Sequence, residues 1–248
     1  MNYEKSKTKP NPKTEHQSLA SENPWSTLCD TEASASQKER YMEDSTRPIR
    51  IVVINGSVRP NNYTSMASAY VVDELRKHPK VSVEEVHPGE MNLPFPGTDP
   101  NSPVTKKLQQ IVSQAVGVVL VTPEYHGSFS SVMKLVIENL GFPSVLAGKP
   151  VALFGVAAGA IGAIKSLEHL RGVISHIGGI ALPLPISIAN VQKVFDREGH
   201  ILDPSVEKIV RQVATNLLGY IEKNICPAAT LERLMREGQT EHPNVVTV

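Results

Sequence analysis

The chain has 248 residues, of which 40% are hydrophobic and 20% charged, and its 25 basic residues balance 25 acidic ones. This length supports one sizeable core, and the zero net charge argues against a nucleic-acid binder or a strongly acidic electron carrier. The two cysteines, Cys29 and Cys226, have neither CxxC nor Cys/His spacing, so neither a disulfide framework nor a zinc site is expected.

The two ends of the chain differ in composition from its middle. From the set Leu, Ile, Val and Phe, the first 47 residues contain only Leu19 and Leu28, too few to offset the entropy cost of ordering. We expect a disordered tail over residues 1–47, a folded domain over residues 48–226 and a second tail over residues 227–248. A docking arm anchored by Trp25 and Leu28 is the alternative for the first segment. Without an export signal or an apolar run of roughly 18 residues, the protein is expected in the cytoplasm, away from membranes.

From Ile49 onward, short apolar runs alternate with helical periodicity. The run Ile49–Ile54 is rich in β-branched residues and predicts a buried strand, whereas apolar residues between Met66 and Leu75 recur at helical spacing. The predicted strands are residues 49–54, 81–86, 117–122, 151–156 and 179–183, and the predicted helices are residues 65–77, 105–115, 130–140, 161–177 and 205–223. Five such alternations predict a parallel sheet with helices on both faces. In such a sheet, ligands bind beyond the carboxyl ends of the strands.

The loop after the first strand, residues 55–64, has the composition of a phosphate site. Ser57, Asn62 and Thr64 supply polar side chains and Arg59 a positive charge, next to the free N–H groups of a helix N-terminus. An ordinary helix cap explains the same residues equally well. The GxGxxG and GxxxxGK[ST] patterns are missing at this strand end, which disfavours a Rossmann-type dehydrogenase and an NTPase.

The loop after the third strand, residues 122–131, suits a planar heterocycle. Its backbone amides and flat side chains at residues 123–127 can hold the polar rim of such a ring. Each side chain also has an ordinary interpretation: Glu124 as a helix-cap acid, Tyr125 as a packed ring and His126 as a surface histidine.

The loop after the fourth strand, residues 155–162, is made of small residues. Such residues let another molecule approach the backbone closely, although tight strand-to-helix packing requires them too. On the helix that follows, His169 and His176 have no partner at metal-ligand spacing, so no metal site is predicted.

Two motifs together resemble a known family. The stretches GSxRxxNxT after the first strand and PEYHGSFSSxxK after the third resemble the flavodoxin-like NADPH-dependent FMN reductases, which include quinone, chromate and azo-dye reductases. The resemblance covers residues 48–222. It implies an α/β, flavodoxin-like three-layer fold with a five-stranded parallel sheet, FMN as cofactor, NADPH as co-substrate, and a homodimer or homotetramer.

The resemblance also implies a cofactor site. Ser57, Arg59, Asn62 and Thr64 would hold the FMN phosphate, residues 123–127 would line the isoalloxazine ring with Tyr125 near its face, and residues 158–162 would approach its other edge. The candidate cofactor-binding residues are Ser57, Arg59, Asn62, Tyr63, Thr64, Pro123, Glu124, Tyr125, His126, Gly127, Ala158, Gly159 and Gly162. No catalytic residue is assigned, because the flavin carries the hydride chemistry.

The implied enzyme passes a hydride from NADPH to FMN and then electrons to a quinone, an azo compound, a metal ion or free flavin. Relatives commonly have Ser where Asn62 stands and Pro-Gly where Ser130 and Ser131 stand, and Leu135 and Glu138 also depart from the family pattern. The last two changes bear on assembly more than on the cofactor. A flavin-binding electron carrier or redox sensor without turnover, and an interaction module with a vestigial pocket, are the alternatives. Arg59 and the neutral charge favour the enzyme.

Overall fold

A parallel β-sheet forms the middle layer of the fold in the computed structural model, which describes residues 48–225. Both predicted tails lie outside the described residues. The strands are β1 (Ile49–Asn55), β2 (Val81–Val86), β3 (Gly117–Tyr125), β4 (Ser128–Phe129), β5 (Pro150–Val156), β6 (Ile180–Ala181) and β7 (Ile186–Ile188). Their order is β2-β1-β3-β5-β6, which is the flavodoxin-like order, with β7 also pairing with β5 and β4 pairing antiparallel with β3.

The predicted five-stranded sheet is confirmed, but its fifth strand is broken into two pieces. The predicted strand over residues 179–183 survives only as β6, and pairing with β5 resumes at β7. Between them lie Pro183 and Pro185, which have no N–H to donate to a ladder, and Leu184, whose backbone is left-handed with φ of 58°. The break therefore has a local sequence cause.

Helices cover both faces of the sheet. They are α1 (Tyr63–Arg76), α2 (Pro103–Ser113), α3 (Ser131–Glu138), α4 (Ile164–His176) and α5 (Pro204–Tyr220), the last continued by a π-helical turn over Ile221–Ile225, with short 3-10 turns over Pro88–Glu90 and Val191–Lys193. Alternate strand residues point to opposite faces, so Ile51 and Val53 pack with α1 and α5, whereas Val52 and Ile54 pack with α2, α3 and α4. No helix within residues 48–225 has both the length and the apolar character needed to cross a membrane.

The strand order reverses between β1 and β3, which opens a crevice at the carboxyl edge of the sheet. Asn55 at the end of β1 is in register with Val121, and Thr122 is in register with Gly155 of β5. The three loops singled out from the sequence therefore leave neighbouring strands side by side. A switch point of this kind is where open α/β sheets bind their ligands.

Candidate functional site

The first loop, residues 55–62, is held tightly between β1 and the N-terminus of α1. The Gly56 N–H donates to the Val121 carbonyl at 2.7 Å, and a Cβ at Gly56 would lie only 2.8 Å from that oxygen. The Asn55 side chain donates to Ser65 Oγ and accepts from the Ser57 N–H. The loop is thus built around backbone contacts that only a glycine at position 56 allows.

The Ser57 hydroxyl is buried and has no hydrogen-bond partner among the described residues. A buried hydroxyl without a partner costs about 1–3 kcal/mol, so native structures rarely leave one in this state. It belongs to the loop that leads into α1, and at the N-terminus of that helix free N–H groups and the helix dipole favour an anion. This arrangement fits the phosphate of FMN, which would supply the missing acceptor.

The other residues predicted to bind the phosphate differ in their exposure and in the contacts that they already make. Asn62 is the N-cap of α1: its Oδ1 accepts from the Ser65 N–H at 2.8 Å and its Nδ2 donates to the Arg59 carbonyl. The ring of Tyr63 stacks on Phe195 with centroids 6.0 Å apart, and Thr64 is buried in the first turn. Arg59 is exposed and forms no ion pair within residues 48–225. The capping interpretation of Asn62 is therefore correct, and phosphate binding by these residues stays a prediction.

The second predicted loop contains a β-hairpin that the sequence analysis missed. Glu124 and Tyr125 at the end of β3 pair with β4 around a two-residue turn, His126-Gly127, whose φ angles are 50° and 73°. Positive φ at both positions defines the type I′ turn, which matches the twist of the flanking strands. The hairpin presents His126 and Gly127 at the carboxyl edge of the sheet.

The Glu124 carboxylate caps a helix. Its Oε2 accepts from the Ser166 N–H at 3.1 Å, in the first turn of α4, 42 residues downstream. The N-cap residue of that helix is Ala163, which has no side chain able to cap. The helix-cap interpretation of Glu124 is therefore correct, and a negative charge at this helix end is also favoured by the dipole.

The third loop, residues 157–163, combines close packing with an open face. A Cβ at Gly162 would lie 2.5 Å from Ser187 Oγ, which accepts from the Ala163 N–H, and Gly162 has φ of +79°. Because of this turn, α4 begins at Ile164 and not at residue 161 as predicted. At Gly159, in contrast, a Cβ would meet nothing within 4 Å. Tight packing therefore explains Gly162, whereas Gly159 has open space beside it, and close approach of another molecule there stays a prediction.

The hairpin and the third loop enclose a cleft of about 290 Å³. It is lined by Glu124, His126, Gly127, Ala157, Ala158, Gly159, Ala160, Ile161 and Gly162. Two predicted ring contacts do not line it: Pro123 is buried within β3, and the side chain of Tyr125 is 39% exposed beside it.

A single serine ties the first loop to β3 and to the start of α3. Ser130 Oγ donates to the Gly56 carbonyl and accepts from the Met133 N–H as the N-cap of α3, while the Ser130 N–H donates to Thr122 Oγ1. The sequence analysis missed this role, although a Ser ahead of an apolar helix is a capping signal. Ile161 lies within the expected range 158–162 and lines the cleft, although it is not among the candidate residues. Gln192, whose side chain donates to the Ala158 carbonyl, was not predicted, and no sequence signal marks it.

A larger open cleft of about 530 Å³ lies between α1 and α5. Its two lining carboxylates, Glu74 and Glu207, are already paired with Arg211, which also bonds to Asp73. The hydrogen bond from Arg211 lowers the pKa of Asp73, and that from Lys77 lowers the pKa of Glu74. These ion pairs link two helices and leave the cleft at the carboxyl edge as the better candidate site.

Comparisons with known proteins identify the family of the chain. Residues 49–193 match the family model described as NADPH-dependent FMN reductase. The chain is 28% identical to an NADPH azoreductase of Bacillus sp., over 70% of this chain and 96% of that protein. It is 25% identical to an NAD(P)H-dependent FMN reductase of Pseudomonas aeruginosa, over 66% of this chain and 90% of that protein.

A solved structure shares the fold. The flavoenzyme NAD(P)H:(acceptor) oxidoreductase FerB from Paracoccus denitrificans superposes with a TM-score of 0.60 at 21% identity, over 70% of this chain and 97% of that one. Because the family model matches more than half of the chain, the protein belongs to the NADPH-dependent FMN reductase family and is an oxidoreductase that uses FMN and NADPH.

Proposed function

We propose that the protein passes two electrons from NADPH to a small, flat aromatic acceptor, a quinone or an azo compound, at the cleft between the hairpin and the third loop. FMN, when bound, supplies the hydride chemistry. The observation that carries this proposal is the unpartnered Ser57 hydroxyl, in the loop that leads from β1 into α1 and that Ser130 ties to β3.

In this proposal the first loop holds the phosphate. The Ser57 hydroxyl donates to a phosphate oxygen, the first N–H groups of α1 add further donors, and Arg59 adds a positive charge. Asn62 supports the loop and does not itself bind the phosphate, because its side chain donates to the Arg59 carbonyl and caps the start of α1. The loop is therefore organised before any ligand arrives.

The hairpin and the third loop hold the ring. The backbone N–H groups of His126 and Gly127, in the hairpin turn, stabilise negative charge at its polar edge, and the small residues around Gly159 allow close approach. The Glu124 carboxylate is engaged with α4, so it serves the cleft as a positioning residue and not as a general base.

We infer the acceptor class from the apolar lining of the cleft, which the flavin ring and the acceptor would share. Apart from Glu124 and His126, the lining consists of glycines, alanines and Ile161, which suits a flat aromatic molecule better than a metal ion. The Bacillus relative is named an azoreductase, which agrees with this class. Membership of a reductase family favours this enzyme over an electron carrier without turnover.

The test is an anaerobic absorbance experiment on the full chain. The protein is mixed with FMN, freed of unbound flavin, and treated first with NADPH and then with 1,4-naphthoquinone. We expect a bound-flavin spectrum that is lost with NADPH and returns with the quinone. Bound flavin that NADPH does not bleach, or a bleached sample that the quinone does not restore, would contradict the proposal.

A further inference from the structure

Lys165 is a charged side chain at the mouth of the cleft that the proposed function does not use. It is the second residue of α4, and its Cδ lies 3.5 Å from the position that a Cβ at Gly127 would take. Gly127 lines the cleft. The aliphatic stem of Lys165 thus lies across the hairpin turn, with the ammonium group two bonds farther along.

The positive charge of Lys165 is not neutralised by a carboxylate within residues 48–225, where it forms no ion pair. The neighbouring Glu124 carboxylate bonds instead to the Ser166 N–H at the positive end of α4. Glu168 and His169 are exposed on the next turn of the same helix, and His126 is exposed on the hairpin. Lys165 is therefore available to an anion that enters from solvent.

Exposed apolar side chains line the cleft or lie close in sequence to its lining residues. Ile161 is 75% exposed and lines the cleft, and Ile164, directly before Lys165, is 47% exposed. Tyr125 at the end of β3 adds a half-exposed ring. A ligand with a flat apolar body would cover this surface and bring any acidic substituent within reach of Lys165.

We propose that the cleft selects acceptors that combine a flat aromatic body with an anionic group such as a sulfonate, and that Lys165 binds this anion. The inference rests on the proposed function. Reduction of a quinone to its hydroquinone takes two electrons and two protons. NADPH gives both electrons and one proton as a hydride, and solvent gives the second proton. Lys165 takes no part in this transfer.

The experiment compares 1,4-naphthoquinone-2-sulfonate with 1,4-naphthoquinone as acceptors for the FMN-loaded full chain. The measured quantity is the ratio of kcat/KM for the two quinones, which cancels effects common to both. In K165Q we expect this ratio to fall by roughly five- to tenfold at low salt, the range for losing one partly solvated charge contact. The decrease should shrink in 0.5 M salt because of screening.

A matched control is K223Q. Lys223 is exposed in the π-helical turn after α5, whose Ile221 packs against Gly117 at the opposite, amino end of β3. The K223Q substitution changes the net charge by the same amount as K165Q, and we expect it to leave the ratio of kcat/KM values at its wild-type value.

A second pair of variants, I161S and L184S, tests the contribution of the apolar surface to acceptor binding. Ile161 and Leu184 are 75% and 76% exposed, but only I161S should lower kcat/KM for both quinones.

The outcomes separate the inference from the function on which it rests. An active K165Q enzyme with an unchanged ratio overturns the inference alone. So does a K165Q variant in which anaerobic reduction by NADPH slows as much as reoxidation by the sulfonate, because Lys165 would then bind the nucleotide. If NADPH reduces the wild-type protein but neither quinone reoxidises it, the proposed acceptor class is overturned, and the inference about Lys165 falls with it.

Discussion

The Ser57 hydroxyl is expected to contribute to FMN binding but not to the stability of the FMN-free protein. Because it is buried without a partner, S57A removes an unsatisfied group, and we expect the free energy of unfolding of the FMN-free protein to stay the same or rise slightly. The same substitution should weaken FMN binding by about 1–3 kcal/mol, since one hydrogen bond to a charged phosphate is lost. Fluorescence titration with FMN and urea denaturation measure the two quantities.

Ser130 provides the contrasting control. Its hydroxyl joins the Gly56 carbonyl to the first turn of α3, so S130A should lower the free energy of unfolding by about 1–2 kcal/mol. If S57A instead destabilised the FMN-free protein as much as S130A, the hydroxyl would have a structural partner and no phosphate role would be needed.

Side chains near the site show why sequence patterns alone leave residue roles open. Asn62 and Glu124 both cap helices, yet the same oxygen and nitrogen atoms are also suited to binding a ligand. Local patterns identify such groups but not their partners: Glu124 bonds to Ser166, which no spacing rule connects to it. Ser130 likewise departs from the common family residue, and only the fold shows that it holds the first loop.

At the scale of elements, the third loop offers two glycines with opposite expectations. G162A forces a Cβ into contact with Ser187 Oγ at a positive φ, so we expect the free energy of unfolding to fall by about 2 kcal/mol or more. G159A adds a methyl group to open space and should leave stability within about 0.5 kcal/mol of wild type. Urea denaturation of the FMN-free proteins measures both.

The same pair also tests how close this loop comes to the flavin. G159A alters no contact of the protein itself, so weaker FMN binding in this variant would report direct approach of the ring. Unchanged FMN affinity in G159A would remove Gly159 from the cofactor site. A loss of stability in G159A equal to that in G162A would contradict the geometry of the loop.

The sequence predicted the long elements well and the short ones poorly. The strands β1, β3 and β5 are runs of mostly buried apolar residues, and α1 to α5 carry helical periodicity, so the hydrophobic pattern locates them. The two-residue strand β4 has no such pattern, and it depends on the backbone of His126 and Gly127. The start of α4 was placed three residues early, because Ile161 continues the apolar pattern while the turn at Gly162 breaks the helix.

At the scale of the whole molecule, a network around Arg211 ties α1 to α5. Arg211 Nη1 lies 3.1 Å from the Glu74 carboxylate and also bonds to Asp73. The folded state lowers the pKa of both carboxyls, so their contribution is present above their unfolded pKa of roughly 4 and is lost as pH falls through the lower folded values. We expect R211M to lower the free energy of unfolding by about 1 kcal/mol at pH 7, because the network is partly exposed.

The difference between R211M and wild type should shrink as pH drops below roughly 4 and the carboxyls become protonated. Urea denaturation at pH 7, 5 and 3 measures this trend. Arg211 also lies over the Tyr70 ring, 5.1 Å from its centroid, so a difference that stays constant with pH would assign its role to that contact.

The domain boundary is the remaining prediction about the whole chain. Within the described residues, β1 begins at Ile49, directly at the expected boundary, and pairs on both sides, with β2 and with β3. We therefore expect a variant without residues 1–47 to keep the FMN content, NADPH oxidation rate and urea midpoint of the full chain. A loss of FMN from a variant that remains folded would mean that the first segment contributes to the cofactor site. A lowered urea midpoint without FMN loss would instead move the boundary of the folded domain toward the N-terminus.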